Sequence, residues 1–291
     1  MNPMRRALTF GMPAMLCWPA LARSATPDPI AEYERESGGR MGLYAVNVST
    51  GSTLSWRADE RFIMCSTFKA SLAAFVLSRV DRGYENLRSL VSYTKKDTLD
   101  VWSPVATANV AKGALTVEEM CKAAVELSDG ACANLLLARV GGPAALTAFW
   151  RSIGDRTSRL DHYEPFLDRS PSGGPWDSTT PIAIAGTLRK VVLGHILSDR
   201  SKALLTGWLV GSRTGDNALR AGLPKTWVIG DKTGHSGRDM AGDLAVAWPR
   251  PDMPIVICAL TKGGSPTEKQ FAKAFAGIGR LVAATLVQYS S

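Results

Sequence analysis

Segments with strand-like patterns lie near both ends of the chain, and a long segment with helical periodicity, from Thr67 to about Leu197, separates them. Near the N-terminus, residues 41–56 alternate partly and turn at Thr50-Gly51-Ser52, which predicts a β-hairpin. Near the C-terminus, the segments TWVIGDKTG, DLAVAWP and PIVICALT are short and bounded by Gly or Pro, which predicts three strands. The simplest packing of this order is a split α/β unit built from both ends of the chain, with an all-helical insertion.

Capping residues mark the predicted helices. Thr116 and Glu119 form a capping box ahead of an apolar stripe, and Thr180-Pro181 places proline at the first position of another helix. Residues 131–140 predict a helix that ends at two glycines. After Thr267, a last helix has one apolar face, made of Phe271, Phe275, Ile278 and Val282.

The first residues resemble a secretory signal. Met1–Arg6 is basic, Ala7–Trp18 is apolar but too short to span a bilayer, and Ala20-Leu21-Ala22 supplies small residues for cleavage. We therefore predict a signal peptide at residues 1–22 and a periplasmic or secreted bacterial protein; the export route, general or twin-arginine, stays open. No later run reaches ~18 apolar residues, so we expect no membrane contact after cleavage. We also expect the mature protein to be a monomer.

Charge and cysteine content exclude some classes of function. The net charge of +8 is spread along the 291 residues without a block of like charges, which argues against a nucleic-acid interface. It favours a basic but unspecialised surface over a mild attraction for anionic surfaces or small acids. Cys17 falls in the leader; the other four cysteines are irregularly spaced, which favours buried free thiols, although export makes a disulfide possible. No cluster of metal ligands is visible, so we expect neither metal nor cofactor.

A possible nucleophile lies in CSTFK, where Ser66 and Lys69 are three residues apart. Serine needs a base, and none of the three histidines lies in a recognisable nucleophile elbow, so a lysine or carboxylate has to serve. The pair shares one face of a predicted helix start with apolar neighbours. The same spacing at Ser92 and Lys95 lies in a polar stretch and predicts a solvated loop.

Three further motifs follow in order: Ser128-Asp129-Gly130, then Glu164-Pro165-x-Leu167-Asp168, then Lys232-Thr233-Gly234. The second lies in a segment, residues 161–178, whose three prolines and two glycines predict a long irregular loop, and such loops are usually functional. With these motifs the sequence, from about Ala31 onward, resembles the class A serine β-lactamases, whose pattern is Ser-x-x-Lys, Ser-Asp-Asn, Glu-x-x-Leu-Asn and Lys-Thr/Ser-Gly.

The resemblance implies the two-lobed α/β (α+β) fold shared by serine β-lactamases and penicillin-binding transpeptidases. An antiparallel sheet flanked by terminal helices would form one discontinuous lobe from residues 23–60 and 206–291. Residues 61–205 would form the all-helical lobe, with the loop that carries Glu164. The implied activity is hydrolysis of the β-lactam ring of penicillins and cephalosporins, which confers antibiotic resistance; whether carbapenems are also substrates stays open.

The resemblance also implies a catalytic role for four residues. Ser66 would attack the β-lactam carbonyl, and Lys69 would help to move its proton. Ser128 would pass a proton to the leaving ring nitrogen. Glu164 would activate the water that hydrolyses the acyl-enzyme. Either Lys69 or Glu164 could be the base for acylation.

Substrate binding would involve the third motif and the mouth of the cleft. Lys232 would supply positive potential, and Thr233 and Gly234 would accompany it at the substrate carboxylate. The oxyanion hole would be formed by the backbone N–H groups of Ser66 and His235. Trp102 occupies the position of an aromatic residue at the mouth of the cleft.

Gly130 and Asp168 depart from the family pattern, because asparagine is usual at both positions. Glycine removes a side chain that contacts the substrate amide and the lysine, which we expect to tune substrates and inhibitors. Asp168 replaces a residue that helps to hold the hydrolytic water, and a carboxylate near Glu164 can raise one of the two pKa values. We therefore place deacylation in doubt.

Two more positions differ from the family. His162 stands where an arginine often pairs with the aspartate that closes the loop, here Asp177. Either a protonated histidine holds the loop more tightly at low pH, or a neutral one is hydrogen-bonded to Asp177. The arginine that assists carboxylate binding is also missing, since Ala241 stands at one expected position. The remaining candidates are Arg220, Arg238 and Lys269.

Two other functions are compatible with the motifs. A penicillin-binding D-alanyl-D-alanine carboxypeptidase or transpeptidase shares Ser-x-x-Lys and Lys-Thr-Gly, but it lacks a base such as Glu164 for rapid deacylation. A catalytically inactive module that binds β-lactams is suggested by Gly130 and Asp168.

Overall fold

The computed structural model describes residues 27–169 and 174–287, so the predicted signal peptide lies outside the described residues. The strands are β1 Arg40–Asn47, β2 Thr53–Trp56, β3 Phe62–Ile63, β4 Leu90–Ser92, β5 Ala114–Thr116, β6 Ser178–Thr179, β7 Val228–His235, β8 Ala241–Trp248 and β9 Ile255–Lys262. The α-helices are α1 Asp28–Ser37, α2 Phe68–Asp81, α3 Pro104–Ala108, α4 Val117–Glu126, α5 Gly130–Arg139, α6 Gly142–Ser152, α7 Pro181–Leu193, α8 Asp199–Val210, α9 Leu219–Gly222 and α10 Glu268–Leu286.

The two ends of the chain build one antiparallel sheet of five strands, in the order β2-β1-β9-β8-β7. The predicted hairpin is confirmed: Oδ1 of Asn47 accepts hydrogen bonds from the nitrogens of Ser49 and Thr50, and Gly51 turns the chain with φ 77°. All three predicted C-terminal strands are present. The split α/β unit predicted from the order of patterns is therefore confirmed.

The two terminal helices pack together on one face of this sheet. Tyr33 of α1 stacks on Phe271 of α10 with ring centroids 5.9 Å apart. Thr267 begins α10 with a capping box to Gln270, which gives hydrogen-bond partners to backbone N–H groups at the start of the helix. That face lies in one hydrophobic core with α1 and the sheet, and its predicted members Phe271, Phe275, Ile278 and Val282 are all buried.

The other face of the sheet adjoins a mainly helical lobe, in which β3 pairs with β6 and β4 pairs with β5, and which is organised around α2. Ten of its residues are buried, and it packs against α4, α5, α6, α7 and α8, so it is apolar nearly all round. The predicted caps at Thr116 and Thr180 are present at α4 and α7. The predicted helix 131–140 is α5, which begins one residue earlier at Gly130 and ends at Arg139.

The lobe boundary that we predict between residues 205 and 206 falls inside α8. This helix packs against α2 and α4 on one side and β7 on the other, so it belongs to the contact between the lobes. Ser92 and Lys95 are exposed, as expected of a solvated stretch. The four cysteines of the described residues are free and buried, which confirms the favoured interpretation: Cys65, Cys121, Cys132 and Cys258.

None of the described helices alone has the length and apolar character to cross a membrane, while the bent pair Gly130–Arg139 and Gly142–Ser152 passes by length and composition only.

Candidate active site

Ser66 lies in a short 3-10 turn, Cys65–Thr67, that leads directly into α2. Oγ1 of Thr67 donates to the carbonyl oxygen of Met64 at 2.7 Å and steadies the turn. Strand β7 passes the turn closely at Gly234, where a Cβ would lie 2.8 Å from the nitrogen of Ser66. Any other residue at Gly234 would push the strand and the turn apart. The glycine of the third motif thus lets the end of β7 reach the serine.

Lys69 and Glu164 both contact the region of the serine hydroxyl. Oγ of Ser66 donates to Oε1 of Glu164 at 2.8 Å, and Nζ of Lys69 lies 2.8 Å from the same oxygen. The side chain of Lys69 is fully buried and that of Glu164 is only 9% exposed, so water screens this ion pair weakly. The carboxylate is within reach of the proton that a nucleophilic serine must lose.

Ser128 joins the two lysines of the site. It lies between α4 and α5 with φ 57°, and Asp129 after it caps α5. Nζ of Lys69 donates to the carbonyl oxygen of Ser128 at 2.7 Å and lies 3.3 Å from its Oγ. Nζ of Lys232 donates to the same Oγ at 3.1 Å. Burial, together with the nearby Lys69 cation, lowers the pKa of Lys232 to about 7. The ammonium group of Lys232 can therefore release a proton near neutral pH.

Glu164 is held by a residue that our sequence analysis does not single out. Nδ2 of Asn134 donates to the carbonyl oxygen of Glu164 at 2.9 Å, and Oδ1 of Asn134 accepts from its nitrogen at 3.0 Å. Asn134 lies on α5 four residues after Gly130, one helical turn from the second motif. That spacing is the one signal in the sequence that could have indicated it.

Asp168 lies in the same loop as Glu164, as the sequence predicts. Burial, together with the negative charge of Glu164, raises the pKa of Asp168 to about 7, and a hydrogen bond with the Cys65 thiol opposes this rise. Its Oδ1 is buried and has no hydrogen-bond partner within residues 27–169 and 174–287. A neutral carboxyl at this place can donate a hydrogen bond, whereas an ionised one repels Glu164.

The loop is closed by the pair that the sequence indicates. Nδ1 of His162 lies 2.6 Å from Oδ2 of Asp177, which is fully buried. Oδ1 of Asp177 also accepts from the nitrogens of Asp161 and His162, at 2.8 and 2.9 Å. The aspartate therefore ties the start of the loop to its end.

A cleft of about 510 Å³ opens in front of Ser66 and is lined by Ser128, Glu164, Asp168, Thr233, Gly234, His235 and Trp102 among others. On the β7 side, Oγ1 of Thr233 donates to Oγ1 of Thr214 at 2.6 Å. Thr214 is a second residue that our sequence analysis does not identify, because it lies in a turn far from the motifs in sequence. The two hydroxyls lie next to buried Lys232, whose Nζ donates to the carbonyl oxygen of Thr233 at 2.7 Å.

None of the three suggested cations, Arg220, Arg238 and Lys269, lines this cleft. Arg220 points instead to buried Asp231, with which it forms an ion pair. Arg238 and Lys269 are exposed outside the cleft. Ala241 lines the cleft. It stands at the position where an arginine that assists carboxylate binding would be expected.

Trp102 and His235 both line the cleft. Trp102 is 70% exposed, and its Nε1 donates to the carbonyl oxygen of Leu127 at 3.1 Å. His235 accepts from the nitrogen of Gly237 at 2.7 Å, and its ring meets Phe271 edge-on at 5.2 Å. In the part of the chain that the structure describes, no group of three His, Cys, Asp or Glu side chains is arranged to hold a metal ion.

Known proteins share both this sequence and this fold. The model of the β-lactamase enzyme family matches residues 27–286. A carbapenem-hydrolysing β-lactamase KPC from Klebsiella oxytoca is 41% identical over 273 residues, which cover 91% of this chain and 92% of the relative. A β-lactamase from Streptomyces albus G is 42% identical over 264 residues, covering 88% and 83%.

Solved structures agree with these relatives. A reconstructed ancestral class A β-lactamase superposes with a TM-score of 0.85 at 48% identity, covering 89% of this chain and 98% of the other. A class A β-lactamase described as putative, from Rhodopseudomonas palustris, gives a TM-score of 0.84 at 45% identity and covers 89% and 98%. The sequence motifs, the two-lobed fold and these comparisons lead to one conclusion: the chain belongs to the class A serine β-lactamases.

Proposed function

We propose that this class A β-lactamase opens the ring of penicillins and cephalosporins through an acyl-enzyme on Ser66, and so protects the bacterium that makes it. The observation that carries the assignment of residues is the continuous chain of contacts from Ser66 through Glu164 and Lys69 to Ser128 and Lys232. Every proton transfer that ring opening requires has a donor or acceptor within that chain.

Acylation begins with the hydroxyl of Ser66. Its proton moves toward Oε1 of Glu164, 2.8 Å away, while Oγ forms a bond to the β-lactam carbonyl carbon. When the tetrahedral intermediate collapses, the C–N bond breaks and the ring nitrogen takes a proton from Ser128. Ser128 is reprotonated by Lys69 or Lys232, at 3.3 and 3.1 Å from its Oγ. Glu164 then gives the proton it took from Ser66 back to the lysines through Lys69, whose Nζ lies 2.8 Å from Oε1, so the carboxylate is restored before deacylation.

Deacylation uses Glu164 a second time. The carboxylate takes a proton from a water molecule, whose oxygen attacks the ester carbonyl; Oγ of Ser66 leaves and recovers a proton. The product is the ring-opened amino acid. The position of a buried carboxylate at the serine favours hydrolysis over the carboxypeptidase and transpeptidase alternative, in which no such base is present.

Substrate binding rests on the β7 side of the cleft. Lys232 supplies positive charge beneath Thr233, and the hydroxyls of Thr233 and Thr214 face the cleft together. These groups suit the carboxylate that penicillins and cephalosporins carry. The backbone N–H groups of Ser66 and His235 would stabilise the oxyanion.

We further propose export by removal of a signal peptide, with cleavage after Ala22 or near Ala25, and action as a monomer in the periplasm or outside the cell. Neither nucleic acid nor metal takes part in this proposal.

Turnover of a chromogenic cephalosporin by the mature protein tests the function. Multiple turnovers at a constant rate are expected. A single stoichiometric burst would support the penicillin-binding alternative, and absence of any covalent adduct would support the inactive module.

A further inference from the structure

Beyond Thr233 the cleft continues between β7, β8 and the first turns of α10. This part, which we call the α10 end of the cleft, is lined by Ala218, Ala241, Phe271, Ala272 and Phe275. Ala241, Phe271 and Phe275 belong to the core that α1 and α10 share with the sheet, and each is at most 5% exposed. The α10 end therefore has an apolar and well-packed floor.

The aromatic side chain at this end, Phe271, is held by two ring contacts. It stacks on Tyr33 of α1 with ring centroids 5.9 Å apart, and the imidazole of His235 meets it edge-on at 5.2 Å. Nδ1 of that imidazole accepts from the nitrogen of Gly237 at 2.7 Å, which fixes its orientation. Because both rings are already ordered, a third ring can pack against them without the cost of ordering these side chains.

The sheet places this apolar end next to the groups proposed to bind the substrate carboxylate. His235 and Ala241 are directly paired across β7 and β8, so their side chains lie on one face of the sheet, and Thr233 is two residues before His235 on that face. Oγ1 of Thr233 donates to Oγ1 of Thr214, which also lines the cleft. A carboxylate at these two hydroxyls therefore has the α10 end beside it.

The charge around the α10 end favours a neutral group. Among the described residues, no arginine or lysine lines the cleft. The carboxylate of Glu268 does line it; this side chain is 82% exposed, and its Oε1 lies 3.2 Å from Nε2 of His235. A second anion at this end would be repelled by Glu268 and would lack a cation as partner, whereas an apolar group would gain by leaving water.

In cephalosporins, the ring carbon next to the one that bears the carboxylate carries a substituent that differs between compounds. When the carboxylate lies at Thr233 and Thr214, this substituent faces the α10 end. We propose that the α10 end is a subsite for a neutral aromatic substituent at that carbon, so that the enzyme prefers cephalosporins that carry one. This inference rests on the proposed function and specifies which substrates it favours. The subsite acts on binding, and the bond changes at Ser66 are the same for all of these substrates.

Ala272→Leu tests the subsite, because it fills the α10 end from the helix without adding charge. The measurement is kcat/KM for two cephalosporins that share their acylamino group and differ at that ring carbon, where one has a methyl group and the other a phenyl-bearing group. The ratio of the two values, aromatic to methyl, is compared between enzymes, which cancels the difference in chemical reactivity between the compounds. We expect Ala272→Leu to lower this ratio about 10-fold, since excluding one ring from an apolar site is worth roughly that factor.

Ala284→Leu is the matched control, because it makes the same change at an exposed position of the same helix; it should keep the wild-type ratio. Ala241→Val narrows the α10 end from the sheet, where a β-branched residue is well tolerated, and should lower the ratio as well. It decides the question if Ala272→Leu does not fold. A wild-type ratio in the folded Ala272→Leu enzyme, or in Ala241→Val where only that variant folds, overturns the inference.

Failure of the proposed function gives a different result. If the wild type hydrolyses neither cephalosporin, the proposed function is contradicted, and the subsite with it. If the wild type hydrolyses both and the ratio is the same in Ala272→Leu and Ala284→Leu, only the subsite is contradicted.

Discussion

Asn134 holds the main chain of Glu164 with both ends of its amide, at 2.9 and 3.0 Å. The glutamate that contacts the nucleophile is thus positioned by helix α5 and not by its own loop alone. Rigid support of this kind is what a general base needs, because proton transfer depends on geometry before it depends on pKa.

We predict that Asn134→Ala lowers both stability and activity. Two partly buried backbone groups of Glu164 lose their partners, and each such loss costs up to about 1–3 kcal/mol. Thermal unfolding and steady-state hydrolysis measure the two effects. Asn109→Ala removes one amide contact to the carbonyl oxygen of Val105 away from the site and serves as control, with activity unchanged. An Asn134→Ala enzyme as active as that control would contradict the role given to Asn134.

We predict that Asp168 makes stability fall as pH rises. Its pKa of about 7 in the folded protein exceeds its ordinary value of 3.8. As pH rises, the Asp168 carboxyl therefore ionises in the unfolded chain before it ionises in the folded protein. The free energy of unfolding therefore falls progressively between about pH 4 and pH 7 and changes little above that range. The whole fall is at most about 4 kcal/mol.

Asp168→Asn should remove this loss. We expect the variant to exceed the wild type in free energy of unfolding at neutral pH, and the two to converge toward about pH 4. Denaturant unfolding at several pH values measures it. The exposed Asp252, in Asp252→Asn, is the control and should keep the pH dependence of the wild type. Parallel curves for Asp168→Asn and the wild type would show that Asp168 is not perturbed.

We predict that the contact between His162 and Asp177 makes the loop more protected at low pH. The 2.6 Å contact becomes charge-assisted when the imidazole is protonated, and imidazoles in general titrate between about pH 5 and pH 8. Hydrogen exchange of the loop measures the protection. His162→Arg keeps a permanent cation and should abolish the pH dependence. Equal protection across this range in the wild type would favour the neutral histidine.

We predict that Thr214→Val weakens substrate binding more than it slows the chemical steps. It removes the hydroxyl that Thr233 contacts at 2.6 Å, in a cleft that no arginine or lysine lines among the described residues. A hydrogen bond to a charged group is worth about 1.5–3 kcal/mol, so KM should rise about 10-fold or more. Thr53→Val, on the exposed edge strand β2, is the control. An unchanged KM would exclude Thr214 from the carboxylate site.

Most strands and helices of the fold could be predicted from local patterns in the sequence. The partly alternating hairpin, the three C-terminal strands, the capping residues Thr116 and Thr180 and the last helix after Thr267 all appear in the structure. Each depends on neighbours within a few residues, so the pattern is sufficient to predict it. The predicted start of α5, at Ala131, is one residue late, because Asp129 caps the helix and Gly130 is its first residue.

The site was harder to predict where it depends on contacts between distant segments. The order of motifs identified Ser66, Lys69, Ser128, Glu164 and Lys232, and they meet around one cleft. Gly130 lies close to Glu164, which is 34 positions away in the loop, and the pairing of Arg220 with Asp231 depends on how α9 lies against β7. Contacts between such distant segments cannot be predicted from the spacing or periodicity of residues in the sequence.

The most direct test of the account is the intact mass of Glu164→Ala during incubation with excess penicillin. Acylation is expected to be slower but still to outrun deacylation, so most of the protein should carry the added mass of one whole substrate molecule. Turnover as fast as that of the wild type, with no adduct at any time, would contradict the role of Glu164 in releasing the acyl-enzyme.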